Sequence, residues 1–385
     1  MRMLLRLRLP AFMTGLLSSV ACIAWLVLQH DRAPFFRAYL FAFLVCLGLA
    51  LGSLTLLMLH RLTGGDWGVR IGPLAASGTR TIPLLAILFI PVCLGMQELY
   101  PWARAGERLH NDLVMHRSAY LNPEFFIVRA GLYFVIWMVL GRLVTRPRPT
   151  SAGLNAAGLI LYLFTMTHAG IDWVMSRDTD FYSTAFGFIL TVGQTLSALA
   201  FAVLLVPGMP PPRVKKKEGP AHRPPLLNDL GNLLLTLVIL WAYVSFMQLL
   251  VIWMGNSKED NSWYLERGLG GGGDSFAWRM VGLALVLFHF FVPFYILLFR
   301  RVKQNSAALT TTAGILLAAH LLEQYWLIAP SDHDSAAIFD PHWLDAAALL
   351  AVGGLWFATF LFFLQREPIS AGADSIPSAG EVIHE

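Results

Sequence analysis

Apolar residues in this chain come in long unbroken blocks, not in alternating or heptad stripes. The blocks lie at 11–29, 36–59, 79–98, 123–144, 152–175, 183–206, 229–254, 276–299, 307–328 and 342–364. A bilayer's hydrocarbon core needs roughly 20 apolar residues as helix. The pattern therefore predicts ten transmembrane helices and an all-α membrane protein. A β-barrel would show alternation instead. The first block follows a basic stretch, Met1 to Leu9, as in a signal peptide. It runs on to Leu28, too long for a typical signal core, so a retained helix is expected. Composition agrees: 56% of the 385 residues are hydrophobic and 14% charged, against about 25% charged in soluble domains. Cys22, Cys46 and Cys93 lie inside apolar runs with no metal-ligand, haem-attachment or disulfide-framework spacing.

Charge sets the orientation. The basic residues sit at helix ends, not along one stripe, which argues against nucleic acid. Of the 28 Lys and Arg, the larger share falls at the N-terminus and in every second loop. These are Arg2, Arg6, Arg8, Arg61, Arg70, Arg80, Arg142, Arg146, Arg148, Arg213, Lys215, Lys216, Lys217, Arg223, Arg300, Arg301, Lys303 and Arg366. The positive-inside rule then places both termini on the cytoplasmic side of an inner membrane. The last outer loop, Ser331 to Pro341, carries Asp332, Asp334 and Asp340 and no basic residue. Pro207 to Pro225 reads as a basic, proline-rich cytoplasmic linker, its Lys215–Lys217 run suited to anionic phospholipid headgroups. Residues 367–385 read as a disordered tail. Gly270 to Gly273 has no preceding strand, so it is not a phosphate loop.

An internal repeat divides the chain. Met96-Gln97-Glu98-Leu99-Tyr100-Pro101-Trp102 and Met247-Gln248-Leu249-Leu250-Val251-Ile252-Trp253 share a pattern roughly 150 residues apart. Phe126-Ile127-Val128-Arg129 is echoed by Phe276-Ala277-Trp278-Arg279, and Ser151-Ala152-Gly153-Leu154 by Ser306-Ala307-Ala308-Leu309. Phe35-Phe36 and Phe181-Tyr182 open the second and sixth helices. The reading is a peripheral helix at 1–30, four-helix bundles at 31–180 and 181–331, and a peripheral helix at 332–366. An even number of helices per repeat makes the repeat parallel, unlike the inverted repeats of many transporters.

Ionisable groups inside a bilayer are costly and default to functional candidates. His168 and Asp172 on the fifth helix are four apart, hence on one face. Gln97, Glu98 and Arg129 complete a first cluster in the outer half of the membrane. His320, Glu323 and Gln324, with Gln248 and Arg279, form a second. A histidine beside a carboxylate suits proton transfer or a quinol headgroup; the competing reading is helix pinning by ion pairs, with Arg129 and Arg279 as interfacial anchors. His289, alone between phenylalanines, reads as a packed hydrogen-bonding residue. His60, beside Arg61, is a candidate cytoplasmic proton inlet. Gly48 and Gly52 form a G-x-x-x-G pair that predicts close helix packing. No catalytic residue and no metal ligand set is expected.

Five segments carry a family resemblance. They are FFRAYLFAFLVCLGLALGSLTLLMLHRLTGGDWG, TIPLLAILFIPVCLGMQELYPWA, SWYLERG with FAWRMVGLALVLFHFFVPFYILLFRR, EQYWLIAP and HWLDAAALLAVGGLWF. They resemble the F-type membrane subunits of bacterial alternative complex III, which are similar to the NrfD-type anchors of polysulfide-reductase-like enzymes. The resemblance spans nearly the whole chain outside 207–225 and the tail. It implies ten helices in two four-helix bundles. It also implies partners: an NrfD-like C paralogue, a large iron–sulfur B subunit, multihaem and monohaem c-type cytochromes, a small membrane subunit and a terminal oxidase. The implied activity is quinol oxidation coupled to cytochrome c or oxidase reduction, with menaquinone or ubiquinone and no covalent cofactor. The implied proton or quinone residues are His168, Asp172, His320, Glu323 and their neighbours.

Overall fold

The computed structural model describes all residues except 1, 105–111, 147–149, 179, 210–225, 257–260, 262, 270–275, 332–338, 340 and 368–385. Most of the basic linker, the glycine run at 270–273, most of the last outer loop and nearly all of the tail thus lie outside the described residues. The described chain is helical, and ten helices are long and apolar enough to cross a membrane. They are α1 Leu4–Leu28, α2 Ala33–Thr63, α3 Asp66–Leu94, α4 Pro123–Val144, α5 Ala152–Arg177, α6 Phe186–Gly208, α7 Leu227–Gly255, α8 Phe276–Leu298, α9 Ser306–Ile328 and α10 Trp343–Arg366. The chain is a multi-pass, all-α membrane protein, as the hydrophobic blocks predict.

Two of these helices have no lipid-facing side. α2 and α6 are apolar all round and buried almost throughout, the behaviour expected of central helices. α3 to α5 pack about α2; α7 and α9 pack on α6, and α8 packs on α7 and α9. The outer helices expose apolar side chains such as Val27, Leu28 and Leu94, at 76%, 75% and 78%. A water-soluble surface would not tolerate so many; a lipid-facing one requires them.

α3 differs from the expected block at 79–98. It starts at Asp66 and breaks at Arg80–Thr81, at Phe89 and at Gly95, the last piece being Met96–Leu99. Pro83 and Pro91 lack the N–H that would bond Thr79 and Ile87, which opens the helix just before each proline. At the first break, Trp356 Nε1 donates to Thr81 Oγ1 at 2.9 Å, and Arg80 pairs with Glu367. Burial holds the Glu367 carboxyl above its ordinary range, although Arg80 opposes the shift. The Arg80 break therefore sits at the basic end of the molecule. There, Arg61 donates to Val144 O at 3.0 Å, and Arg70 to Val206 O and Met209 O, each at 3.2 Å. These cations satisfy carbonyls that a helix C-terminus leaves open.

α1 and α10, from opposite ends of the chain, pack on each other at bare backbone. A Cβ on Gly354 would lie 2.8 Å from Ala11 O, and one on Gly15 2.7 Å from Leu355 N. Small residues at such crossings let helices meet without side chains between them. Gly354→Leu is expected to drive α1 off α10 and lower the detergent-solubilised midpoint by several degrees. An unchanged midpoint together with unchanged protease resistance of residues 4–28 would refute this packing role.

Candidate functional site

A buried polar cluster lies among α7, α8 and α9. Glu323 on α9 is 5% exposed and has both oxygens engaged. Its Oε1 accepts from Trp241 Nε1 of α7 at 2.6 Å, and its Oε2 lies 3.1 Å from His320 Nδ1 one turn earlier. His289 of α8 approaches the same oxygen, with Nδ1 at 3.8 Å. The His289 ring stacks on Trp241 with centroids 4.0 Å apart. Three helices thus converge on one carboxylate.

Local structure explains why His289 points inward. Val286–Phe291 is a π-helical turn within α8. Pro293, just beyond, cannot donate to the His289 carbonyl, so the α-helical ladder cannot continue there. A π turn inserts one extra residue, rotates the following register and is common at functional sites. The sequence alone reads His289 as a lone packed residue; in the structure it joins the cluster, fully buried.

Three ring nitrogens in the cluster have no protein hydrogen-bond partner: both of His289, and Nε2 of His320. A buried orphan nitrogen costs about 1–3 kcal/mol, so these groups are held here at a cost. One donor atom each from His289, His320 and Glu323 lies within 4.8 Å of the others. That set could hold a zinc-like ion, yet the carboxylate is already taken by Trp241 and His320. The arrangement is an acid–base pair with a second imidazole in reach, able to accept, hold and pass a proton.

Two residues that sequence patterns do not single out extend this cluster toward the first bundle. Tyr162 of α5 donates to Gln194 Oε1 of α6 at 2.5 Å, and both are buried. Gln194 stands beside His320 across Gly48 of α2. A lone glutamine in the apolar run of α6 was a legible signal, as polar residues at membrane depth rarely lack a role.

The first bundle is built differently. Asp172 is fully buried and receives Arg129 in a two-pronged pair, Nε to Oδ2 and Nη2 to Oδ1, each at 2.9 Å. Tyr133 also donates to Oδ2 at 2.9 Å. Arg129 Nη1 donates to Tyr120 O at 2.7 Å, and its guanidinium lies 3.9 Å from the Tyr120 ring centre. Arg129 is therefore more than an interfacial anchor. His168, expected beside Asp172, is turned to the Phe164 carbonyl at 2.9 Å. The two share a helix face, but Arg129 and Tyr133 of α4 occupy the carboxylate.

The remaining expected members are dispersed. Gln97 is exposed and Glu98 half-buried; their carbonyls, not their side chains, meet Arg104. Gln324 is buried beside Glu323. Gln248 binds Ser183 and Tyr264 toward the outer loops, and Arg279 donates to Gly268 O at 2.9 Å. His60 is held by Gly65 O at 2.9 Å and by the edge of Trp67, so it pins the α2–α3 turn. In the register of the repeat, His320 corresponds to Thr165, which accepts from Trp137 Nε1 at 2.9 Å. A neutral pair stands where the second half has its acid–base pair.

An open pocket of about 560 Å³ lies beside the outer ends of α4 and α5. Trp102, Tyr120, Phe181 and Tyr182 form its aromatic walls, and His116, Arg117, Ser176 and Asp178 line it as well. Burial first, and then Asp172, push the Tyr120 phenol up to about 12, so it stays neutral.

Compared with known proteins, the chain matches no family model and no curated sequence.

Proposed function

We propose that this chain is the proton-handling membrane subunit of a quinol-oxidising electron-transfer complex. The observation that carries the reading is the buried Glu323 carboxylate shared by His320, His289 and Trp241. Scaffold roles need ion pairs with every partner satisfied, as at Arg129–Asp172. A carboxylate with two imidazoles, three of whose four nitrogens have no hydrogen-bond partner, fits transport of protons better. The segments quoted above support the complex: they resemble alternative complex III F-type subunits. On that reading the partners are an NrfD-like C paralogue, an iron–sulfur B subunit, multihaem and monohaem c-type cytochromes, a small membrane subunit and a terminal oxidase. The basic end faces the cytoplasm and both termini lie there. Phospholipids surround the outer helices.

A quinol headgroup reading is favoured by a different place, the aromatic pocket of Trp102, Tyr120, Phe181 and Tyr182. Its flat walls and few polar atoms suit a menaquinol or ubiquinol ring. The pocket is separate from the Glu323 cluster, so quinone binding and proton transfer would use different parts of the chain.

Glu323→Gln tests the proton reading. The amide keeps the shape and can still hydrogen-bond Trp241 and His320, yet it cannot ionise. In liposomes carrying the co-purified complex, protons moved per electron from quinol are expected to fall at least about tenfold, with the haem spectrum and subunit composition intact. A wild-type proton-to-electron ratio would sink the assignment.

A further inference from the structure

The residues around Glu323 have the donors and the spacing of a metal site. Glu323 Oε2 lies 3.1 Å from His320 Nδ1 and 3.8 Å from His289 Nδ1. One donor atom from each of the three residues lies within 4.8 Å of the other two. Donors bound at about 2.0–2.2 Å around one tetrahedral zinc-sized ion stand about 3.3–3.5 Å apart. The carboxylate oxygen therefore meets that spacing toward either imidazole after shifts of about 0.2–0.5 Å. An ion would take the place of the proton between His320 and Glu323, so the space it needs lies among the donors themselves.

Hydrogen bonding alone does not account for His289. The ring is fully buried, and neither nitrogen has a protein partner. At 3.8 Å its Nδ1 is too far from Oε2 to share a proton, although two ligands of one ion stand about that far apart. The π turn and the stack on Trp241, with centroids 4.0 Å apart, hold it facing the carboxylate. Trp241 Nε1 binds the other oxygen, Oε1, at 2.6 Å. An outer hydrogen bond of this kind orients a metal-binding carboxylate. Trp241 and an ion would thus use different oxygens, and the ion would replace only the bond from His320. α6 leaves Oε2 uncovered at Gly193, where a Cβ would lie 3.4 Å from Oε2 and 3.8 Å from His320 Cε1.

We propose that His289, His320 and Glu323 form an open, three-ligand site for one divalent ion of the zinc class. Two imidazoles and a carboxylate are donors that such ions take. Among the described residues no fourth histidine, cysteine or carboxylate joins the group, so a water or hydroxide completes the tetrahedron. Hydroxide and carboxylate together neutralise a divalent ion, which an apolar interior favours. The site stands on the geometry of the three donors and does not depend on the proton-handling reading.

Because the donors are buried, the ion is supplied during synthesis. The chain, with whatever partners co-purify, is produced in zinc-supplemented and in chelator-restricted cultures and purified in mild detergent. Zinc per chain is read by plasma mass spectrometry, and its ligands by X-ray absorption at the zinc edge. Wild type from supplemented culture is expected to carry about one zinc per chain, with a nitrogen–oxygen shell and imidazole scattering. His289→Phe and Glu323→Gln are expected to lose it. His168→Phe, whose imidazole is held by Phe164 outside the group, should keep it. His289→Phe puts an aromatic ring between Phe288 and Phe290, and thermal melting checks that each variant is folded. Absence of zinc from wild type, wild-type zinc in either His289→Phe or Glu323→Gln, or a sulfur shell would overturn the site. Proton uptake by protein from chelator-restricted culture reads the other proposal separately. Loss of uptake in Glu323→Gln there, beside a failed zinc result, would leave proton handling standing alone. Wild-type uptake there, beside a zinc result as expected, would leave the metal site standing alone.

Discussion

Arg129→Leu is expected to destabilise the detergent-solubilised protein by about 3–5 kcal/mol. The substitution strands Asp172, fully buried, with one tyrosine hydroxyl in place of a guanidinium fork. It also frees the Tyr120 carbonyl and removes a cation from the Tyr120 and Phe125 rings. The double variant Arg129→Leu, Asp172→Leu should recover most of the loss, because two apolar side chains replace a paired charge without leaving either uncompensated. A double-mutant cycle by thermal or denaturant unfolding reads the coupling. A double variant as unstable as the single would mean that the Arg129–Asp172 pair does not account for the loss. The proton transfer proposed for Glu323 should be little affected in whatever fraction folds, since the pair lies on α4 and α5 and Glu323 on α9.

Gly52→Val should fail more completely. Even a methyl at this position would overlap Gln194 O and lie 2.6 Å from its carbonyl carbon. Those atoms are backbone of the central helix α6, so the clash cannot be relieved by turning a side chain. Overpacking in a well-packed core costs about 1–3 kcal/mol. A branched side chain against rigid backbone between the two central helices should exceed that and abolish recovery of folded protein. Fluorescence-detected size exclusion gives the answer: a wild-type monodisperse peak from Gly52→Val would mean that α2 and α6 do not meet as described.

The ten helices were legible because lipid imposes a simple code: about 20 apolar residues per crossing. The G-x-x-x-G pair was legible for a related reason, since only small residues permit close backbone contact. The break in α3 was less so; Pro83 and Pro91 announce it, yet hydropathy averages over such kinks. Helix periodicity overstated the pairing of His168 with Asp172, because sharing a side of one helix says nothing about which neighbour arrives first. Arg129 arrives from α4 and takes both oxygens. The closeness of His320 and Glu323 follows from their spacing, one turn apart. Their third partner, His289, is 31 positions earlier and reaches them through a π turn that no periodic template contains. Trp241, Gln194 and Tyr162 come from three further helices, and only tertiary packing brings them together.

The contact between α1 and α10 has a consequence for biosynthesis. Gly15 on α1 is synthesised well before Gly354 on α10, so their close approach cannot form until α10 is inserted. At about 5–20 residues per second, translation leaves α1 waiting for tens of seconds. During that interval the crossing surface of α1, bare of large side chains at Gly15, stays open in the bilayer to any helix with a matching small residue. Closure of α10 against it ends that exposure: a chain truncated before Trp343 would present α1 as an unmatched helix to the quality-control proteases of the membrane.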